Sequence, residues 1–296
     1  RSTHDATGQL QRLTASSQAT GTDSPDAVDL HKAAVRTLSL AQNLSDAIDR
    51  QQLELFYQPL IAFDQLAVSG FEALIRWNHP SLGLVSPAEF IPLAEKTGLI
   101  HRIGQWVLQR ALSDWAELRP YCAYDLQSPP FVSINLSAPE LAGGDIVQTI
   151  QDCLAQHAMD ARELRIELTE TTIIQNMDAV AKSLHQLRAL GVGIALDDFG
   201  TGYSSLSYLK QLPFAELKID QSFVRDMVTD PSDAVLTRTM IALAHALGLG
   251  VLAEGVETEE QFAALSADGC DLFQGYLLGR PLDTAKFEAA WATRRS

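Results

Sequence analysis

From Leu53 onward the chain alternates short, continuous apolar runs with longer stretches whose apolar residues recur at helical spacing. Continuous apolar runs are typical of strands buried on both faces, as in a parallel sheet covered by helices. They predict eight strands: Leu53–Ile61, Val68–Trp77, Phe131–Leu136, Leu164–Leu168, Val192–Leu196, Glu216–Ile219, Val251–Ala253 and a short strand near Asp271–Phe273.

Helical patterns lie between most of these strands: Ile103–Leu118, Ile146–His157, Ala179–Leu190 and Leu236–Leu247. Gly191 and Gly250 stand where two of these helices should end. Only Ala62–Ala67 joins the first two strands, which is too short for a helical crossover and therefore predicts an antiparallel hairpin. The predicted fold class is α/β, a modified (β/α)8 TIM-type barrel with one antiparallel strand near the N-terminus.

The beginning of the chain has a different composition. Residues 1 to about 25 are dominated by Ser, Thr, Gln, Ala, Gly and Asp, which predicts a linker arm. From Asp26 to Ile48 apolar residues recur at helical spacing, which predicts an amphipathic helix. We therefore divide the chain into an arm and helix at 1–48 and a main domain at 49–296. Because the first residue is Arg1 rather than Met, we expect a fragment of a longer protein.

Oxygen-bearing side chains lie at or near the ends of five predicted strands. In a barrel the carboxyl ends of the strands meet at one face, where the chemistry is found. Because a lone buried carboxylate is costly, such a group needs a compensating partner, and converging oxygens suit hard divalent cations. The sequence therefore predicts a metal site at this face, with these candidate residues: Glu72, Asn135, Glu167, Asp197, Asp198 and Glu254.

Some of these residues also have ordinary structural interpretations. Asp197 and Asp198 could cap the helix that follows, and Glu167 could belong to a capping arrangement. Asn135 could satisfy the backbone of a loop. Taken together, these interpretations would require a coincidence at equivalent ends of different strands.

The remaining acidic residues could be buried partners of a cation. Glu72 and Glu254 could pair with Arg76 or Lys218. Lys218 itself could be a surface lysine whose aliphatic stem covers apolar neighbours.

Charge and cysteine content exclude several classes of protein. The net charge of −15 argues against binding a nucleic-acid polymer, although metals and one or two cations could hold a small phosphate ligand. The three cysteines form no C-x-x-C pair, so we expect reduced thiols in a cytoplasmic domain. No apolar run reaches the roughly 18 residues of a membrane helix, and no signal-peptide pattern is present.

Several motifs occur in a specific order between about Leu53 and Leu282. Through them the chain is similar to the EAL-domain family of cyclic di-GMP phosphodiesterases, which is named for the tripeptide Glu72-Ala73-Leu74. The other matching segments are Tyr57-Gln58-Pro59, Arg76-Trp77-Asn78-His79-Pro80, Phe90-Ile91-Pro92, Asn135-Leu136-Ser137, Glu167-Leu168-Thr169-Glu170, Asp197-Asp198-Phe199-Gly200-Thr201-Gly202-Tyr203-Ser204-Ser205, Lys218-Ile219-Asp220, Ala253-Glu254-Gly255-Val256-Glu257-Thr258 and Gln274-Gly275-Tyr276.

The resemblance implies hydrolysis of cyclic di-GMP to linear 5'-pGpG with two Mg²⁺ or Mn²⁺ ions per active site. It assigns the ligands of the first ion to Glu72, Asn135, Glu167 and Asp197. Asp197 would bridge to the second ion, which Asp198 and Glu254 would also hold. The resemblance further implies a homodimer.

Catalytic and substrate-binding roles follow from the same resemblance. Lys218 would orient or polarise the attacking water, Gln274 would lie near it, and Glu254 would be a ligand, a base or both. Glu170 would hold the loop Thr201–Tyr203, which shapes the second metal site. Arg76 would meet a substrate phosphate. The groove that binds the substrate would be lined by Gln58, Leu74, Asp220, Glu257 and Tyr276.

Two other functions remain open at this stage. A non-catalytic cyclic di-GMP receptor would typically lack metal ligands or loop residues, whereas this chain carries the family's residue at each of those positions. An unrelated barrel enzyme of the enolase type shares strand-end carboxylates but would not explain the Asp-Asp-Phe-Gly-Thr-Gly and Gln-Gly-Tyr segments. The N-terminal arm could lead from a sensor, a GGDEF-type cyclase domain or a membrane anchor.

Overall fold

The computed structural model describes residues 25–63, 67–122, 129–143, 145–175, 177–200 and 206–291. The strands are β1 Leu53–Ala62, β2 Ala67–His79, β3 Gly83–Val85, β4 Phe131–Asn135, β5 Leu164–Thr169, β6 Gly193–Phe199, β7 Glu216–Ile219, β8 Gly250–Ala253 and β9 Leu272–Phe273. The helices are α1 Pro25–Ala47, α2 Pro87–Thr97, α3 Ile100–Leu118, α4 Ala138–Ala142, α5 Ile146–Gln156, α6 Glu170–Gln175, α7 Met177–Leu190, α8 Leu206–Gln211, α9 Gln221–Asp226, α10 Pro231–Ala246, α11 Glu259–Ala267 and α12 Thr284–Trp291. Short 3-10 turns occur at Arg119–Tyr121 and Ala161–Glu163.

Eight of the strands form a closed barrel. Their order is β1-β9-β8-β7-β6-β5-β4-β2, and pairing of β1 with β2 closes the ring. The strands from β2 round to β9 run parallel, whereas β1 is antiparallel to β9. The predicted (β/α)8 barrel with one reversed strand near the N-terminus is therefore confirmed. The parallel strands place their carboxyl ends at one face, where chemistry is found in such barrels.

The described residues divide into two compact units. The first contains the residues up to Leu53 together with Arg76–Ile103. Within it α1 packs on α2, with Leu40 and Leu44 buried and Arg36 paired to Glu89 at 2.7 Å. The predicted amphipathic helix is thus present, although most of the predicted arm lies outside the described residues. The domain boundary at residue 48 remains a prediction.

The second unit contains the barrel strands from Glu54 to Ile75 and the chain from Gly104 onward. An apolar layer inside the barrel is formed by Leu60, Phe131 and Leu252, against which the partly buried Leu272 packs.

The predicted helix ends need one correction. Gly191 follows α7 with a φ of 101°, in the left-handed region that favours glycine, as predicted. Gly250, by contrast, is the first residue of β8, and the left-handed glycine after α10 is Gly248, with a φ of 74°. Among the described helices, none combines the length and apolar character needed to cross a bilayer.

Candidate active site

A buried lysine lies at the centre of the candidate site. Lys218 on β7 is 0% exposed, so a surface role for this side chain is wrong. Its ammonium nitrogen lies 2.5 Å from Glu167, 2.6 Å from Glu254, 3.2 Å from Asp197 and 3.8 Å from Glu72. Burial lowers the pKa of Lys218, but the four carboxylates outweigh it and raise this pKa well above its ordinary value. We call these five residues the Lys218 cluster.

Two carboxylates of the cluster differ in proton affinity. Burial and the charge of Glu72 raise the pKa of Glu167 well above its usual range, although Lys218 opposes them. Burial also acts to raise the pKa of Glu72, but Lys218 and the side-chain amides of Gln274 and Asn135 shift it below the ordinary value. Glu72 is therefore the more readily ionised of the two.

Side-chain amides orient Glu72 from both sides. Asn135 at the end of β4 donates to one carboxylate oxygen at 2.9 Å, and Gln274 donates to the other at 2.7 Å. The amide nitrogen of Gln274 also lies 3.2 Å from the carbonyl oxygen of Gln58. The side-chain oxygen Oε1 of Gln274 is buried and has no hydrogen-bond partner among the described residues. A buried acceptor of this kind is available to a bound water or ligand.

A β-bulge brings Asp197 and Asp198 to the same site. Successive side chains of a regular strand point to opposite faces, which would separate these carboxylates. The pairing of β6 with β7 shifts register between Leu196 and Phe199, and Asp198 has a left-handed φ of 56°. Bulges re-aim side chains in this way. As a result, carboxylate oxygens of Asp197, Asp198 and Glu254 lie within 4.8 Å of one another.

The donor set fits divalent cations. Burial, together with the charges of Asp197 and Asp220, raises the pKa of Asp198 to about 6. Burial also raises the pKa of Glu254 to about 8, with Asp197 adding to the shift and Lys218 opposing it. Besides burial, the charge of the neighbouring Asp197 contributes to both shifts. Carboxylate and amide oxygens are the ligands that Mg²⁺ and Mn²⁺ prefer.

A cavity of about 280 Å³ opens over this cluster. Eight of the predicted site residues line it: Gln58, Glu72, Leu74, Asp197, Glu254, Glu257, Gln274 and Tyr276. Gln221, Gly255 and Gly275 also line it and were not among the predicted site residues. Gln221 directly follows the Lys-Ile-Asp segment, and the two glycines adjoin predicted residues. Their positions beside the motifs could have indicated them from the sequence.

Other predicted residues are not among those that line the cavity. Asp220 caps α9, because its carboxylate accepts a hydrogen bond from the backbone of Ser222 at 3.0 Å. Arg76 is partly buried on β2, in the first unit. Glu170 is the first residue of α6 and is only 2% exposed. The predicted loop residues Thr201–Tyr203 lie outside the described residues.

A parallel barrel with polar groups gathered at the carboxyl ends of its strands is the arrangement in which barrel enzymes carry their active sites. More specifically, the chain belongs to the EAL-domain family, whose model matches residues 41–281. It is 43% identical over 255 residues to MucR of Pseudomonas aeruginosa, a bifunctional diguanylate cyclase and cyclic di-GMP phosphodiesterase, covering 86% of this chain and 37% of MucR. It is 41% identical over 255 residues to the cyclic di-GMP phosphodiesterase NbdA of the same organism, covering 86% of this chain and 32% of NbdA.

A solved structure of a family member is also similar to this chain. The MucR phosphodiesterase in complex with cyclic di-GMP matches with a TM-score of 0.77 and 43% identity, covering 84% of this chain and 99% of that one. The chain nevertheless spans only 37% and 32% of the full lengths of MucR and NbdA. The comparison therefore concerns one domain of these longer relatives.

Proposed function

We propose that this domain hydrolyses cyclic di-GMP to linear 5'-pGpG with two divalent cations. The main observation is the Lys218 cluster, in which four carboxylates surround one ammonium at the floor of a cavity. The family membership and the cyclic di-GMP bound by the MucR phosphodiesterase support the choice of substrate.

The residues that would hold the cations are those that the family resemblance assigns. Glu72, Asn135, Glu167 and Asp197 would hold the first, and Asp197, Asp198 and Glu254 would hold the second. Bound cations of this kind lower the pKa of water and neutralise charge that develops on phosphate oxygens.

The protein's own residues prepare the reaction. In this proposal Lys218 acts as a hydrogen-bond donor that orients the attacking water. Gln274 is held beside Glu72 and presents its Oε1 atom as an acceptor. In this proposal Arg76 contacts a substrate phosphate, where a guanidinium can form paired hydrogen bonds.

The wider context is also a proposal. The relatives extend well beyond the matched region, and MucR is also a diguanylate cyclase, which supports an upstream GGDEF-type or sensor domain. We further propose that the domain is cytoplasmic, forms a homodimer and is connected to a membrane anchor in the longer protein. Light scattering of the purified chain tests the dimer.

Chromatography of nucleotides tests the activity. The protein is incubated with cyclic di-GMP and either Mg²⁺ or Mn²⁺, and matched samples contain excess EDTA. We expect pGpG to appear only with metal. Intact cyclic di-GMP that remains bound to the protein in the presence of metal would instead establish the non-catalytic receptor.

A further inference from the structure

An arginine stacks on a tyrosine at the cavity. The guanidinium carbon of Arg280 lies 4.1 Å from the ring centroid of Tyr276, which lines the cavity and is 51% exposed. Among the described residues, no carboxylate forms an ion pair with Arg280. Stacking on an aromatic ring orients a guanidinium while its N–H groups remain available as donors.

The turn that carries both residues is held in place. The backbone of Val256 accepts a hydrogen bond from Leu277 at 3.1 Å and donates one to Gln274 at 3.0 Å. The side chain of Gln58 donates to the carbonyl oxygen of Gly279 at 3.1 Å. A Cβ atom at Gly275 would lie 2.0 Å from the Val256 carbonyl oxygen, so only glycine fits this approach. Since the turn is already ordered, Arg280 can bind a ligand with little further loss of entropy.

The cavity needs a cation near its opening. Among the described residues, its lining includes Glu72, Asp197, Glu254 and Glu257 but no lysine or arginine. Lys218 is fully buried and already surrounded by four carboxylates. A cyclic dinucleotide carries two phosphodiesters, and only one of them can occupy the position where hydrolysis takes place. The proposed cations act at the reacting phosphodiester, and Arg76 is proposed to contact one phosphate, so a second phosphodiester near the acidic lining would be stabilised by a further cation.

We infer that Arg280 is a substrate-binding residue that contacts the phosphodiester which is not cleaved. This inference rests on the proposed function, because it takes a cyclic dinucleotide as the ligand. The planar guanidinium can give two parallel hydrogen bonds to a phosphate, whereas a lysine ammonium would supply only a point charge. Tyr276 lines the cavity itself and also positions the guanidinium of Arg280.

Steady-state kinetics and calorimetry of four proteins test the inference. They are the wild type, Arg280→Gln, Arg280→Lys and the control Arg162→Gln, which removes an exposed arginine paired with Asp160 at 2.7 Å. We expect Arg280→Gln to raise KM and the calorimetric Kd for cyclic di-GMP about tenfold, with kcat nearly unchanged. Arg280→Lys should be intermediate, the control should match the wild type, and the salt dependence of KM should weaken in Arg280→Gln.

Several outcomes would overturn the inference. It fails if Arg280→Gln keeps the Kd of the wild type, if the control weakens binding equally, or if kcat falls while KM stays constant. A raised KM with unchanged salt dependence would indicate a contact to a base rather than to a phosphate. A wild type that binds cyclic di-GMP without cleaving it would refute the proposed activity alone, since calorimetry would still test Arg280. Absence of any binding would refute both.

Discussion

Lys218 on β7 donates a hydrogen bond to Glu167 on β5 at 2.5 Å, across the intervening strand β6. Two residues earlier on the same strands, Glu216 on β7 pairs with Arg165 on β5. In this second pair the acidic residue lies on β7 and the basic residue lies on β5, the reverse of the first pair. The Arg165 guanidinium also stacks on the ring of Phe131, 3.5 Å from its centroid. The barrel interior therefore contains two successive ion pairs. The pair Lys218–Glu167, which we call the upper pair, belongs to the candidate active site, and the pair Arg165–Glu216 is the lower pair.

Small residues on β6 make both ion pairs possible. In the sheet register Gly193 lies beside Arg165, and Ala195 lies beside Glu167. A Cβ atom at Gly193 would lie 3.4 Å from the Arg165 Nε atom, a tight contact. Larger side chains at these two positions would occupy the space that the ion pairs use.

We predict that breaking the lower pair is costly. Arg165→Met leaves Glu216 buried without its cation, and such changes typically cost about 3–5 kcal/mol of unfolding free energy. The double variant with Glu216→Met should lose clearly less than the sum of the two single changes. Urea denaturation measures the cycle, with Arg162→Met, in an exposed pair, as a control expected to change stability by less than about 1 kcal/mol. Additive losses in the cycle would show that the pair is not coupled.

A second prediction separates chemistry from binding. Because Lys218 is proposed to act on the water, Lys218→Ala should lower kcat on the order of a hundredfold or more while KM stays similar. Arg76→Ala should mainly raise KM, since its proposed contact is with a phosphate. Kinetics of both variants with saturating Mg²⁺ distinguish the roles. Exchanged phenotypes would reverse the two assignments.

The strands and the longer helices could be predicted because their apolar patterns extend over enough residues. Predicted and observed bounds agree within a few residues for β7, α5 and α7. The helices α4, α6, α8 and α9 have only five or six residues each, and so short a segment shows little helical periodicity. Helix α2 begins with Pro87 and contains Pro92, which also weakens a helical pattern.

The sequence could predict which residues form the candidate site but not how they are arranged. Strand ends indicated the carboxylates, since parallel strands bring these ends together. The central position of Lys218 could not be read from its neighbours Leu217 and Ile219, which suit a buried strand and a surface lysine equally. The convergence of Asp197 and Asp198 depends on a bulge and a left-handed φ, which no local pattern specifies.

Tyr57 leads to a prediction about pH. Its hydroxyl donates to Asp114 at 2.8 Å, and burial together with the Asp114 charge raises the pKa of Tyr57 well above 10. Below about pH 10 both the folded and the unfolded chain hold this proton, so the contribution to stability is fully present. Above about pH 10 the unfolded chain releases the proton while the folded chain still holds it. The contribution to stability therefore decreases from that pH and is lost as the pH rises through the pKa of the folded state.

The variant Tyr57→Phe isolates this effect. Asp114 keeps its contact with Arg110 at 2.8 Å, so the carboxylate is not left alone. At pH 8 we expect the variant to be less stable than the wild type by about 1.5–3 kcal/mol, the value of a hydrogen bond to a charged group. Urea denaturation at pH 8 and at pH values above 10 should show this difference shrinking. A difference that stays constant across this range would contradict the raised pKa.

Glu170 provides the last prediction. It is buried at the first position of α6, so the alternative that it is a surface residue is wrong. It directly follows Thr169, which pairs in register with Asp197 on β6. The backbone of Glu170 is therefore next to the strand that carries Asp197 and Asp198. We predict that Glu170→Ala leaves the first cation bound but displaces the segment after Asp198 and weakens the second site.

Misplacement of a ligand by about 1 Å can cost on the order of a hundredfold in rate, and we expect a loss of that size in kcat. Calorimetric titration with Mn²⁺ should show one binding event retained and one weakened, and raising the Mg²⁺ concentration should restore part of the activity. Glu170→Gln, which keeps the shape of the side chain, distinguishes the loss of charge from the loss of volume. A Glu170→Ala protein with the wild-type rate at every Mg²⁺ concentration would show that Glu170 supports only the packing of α6.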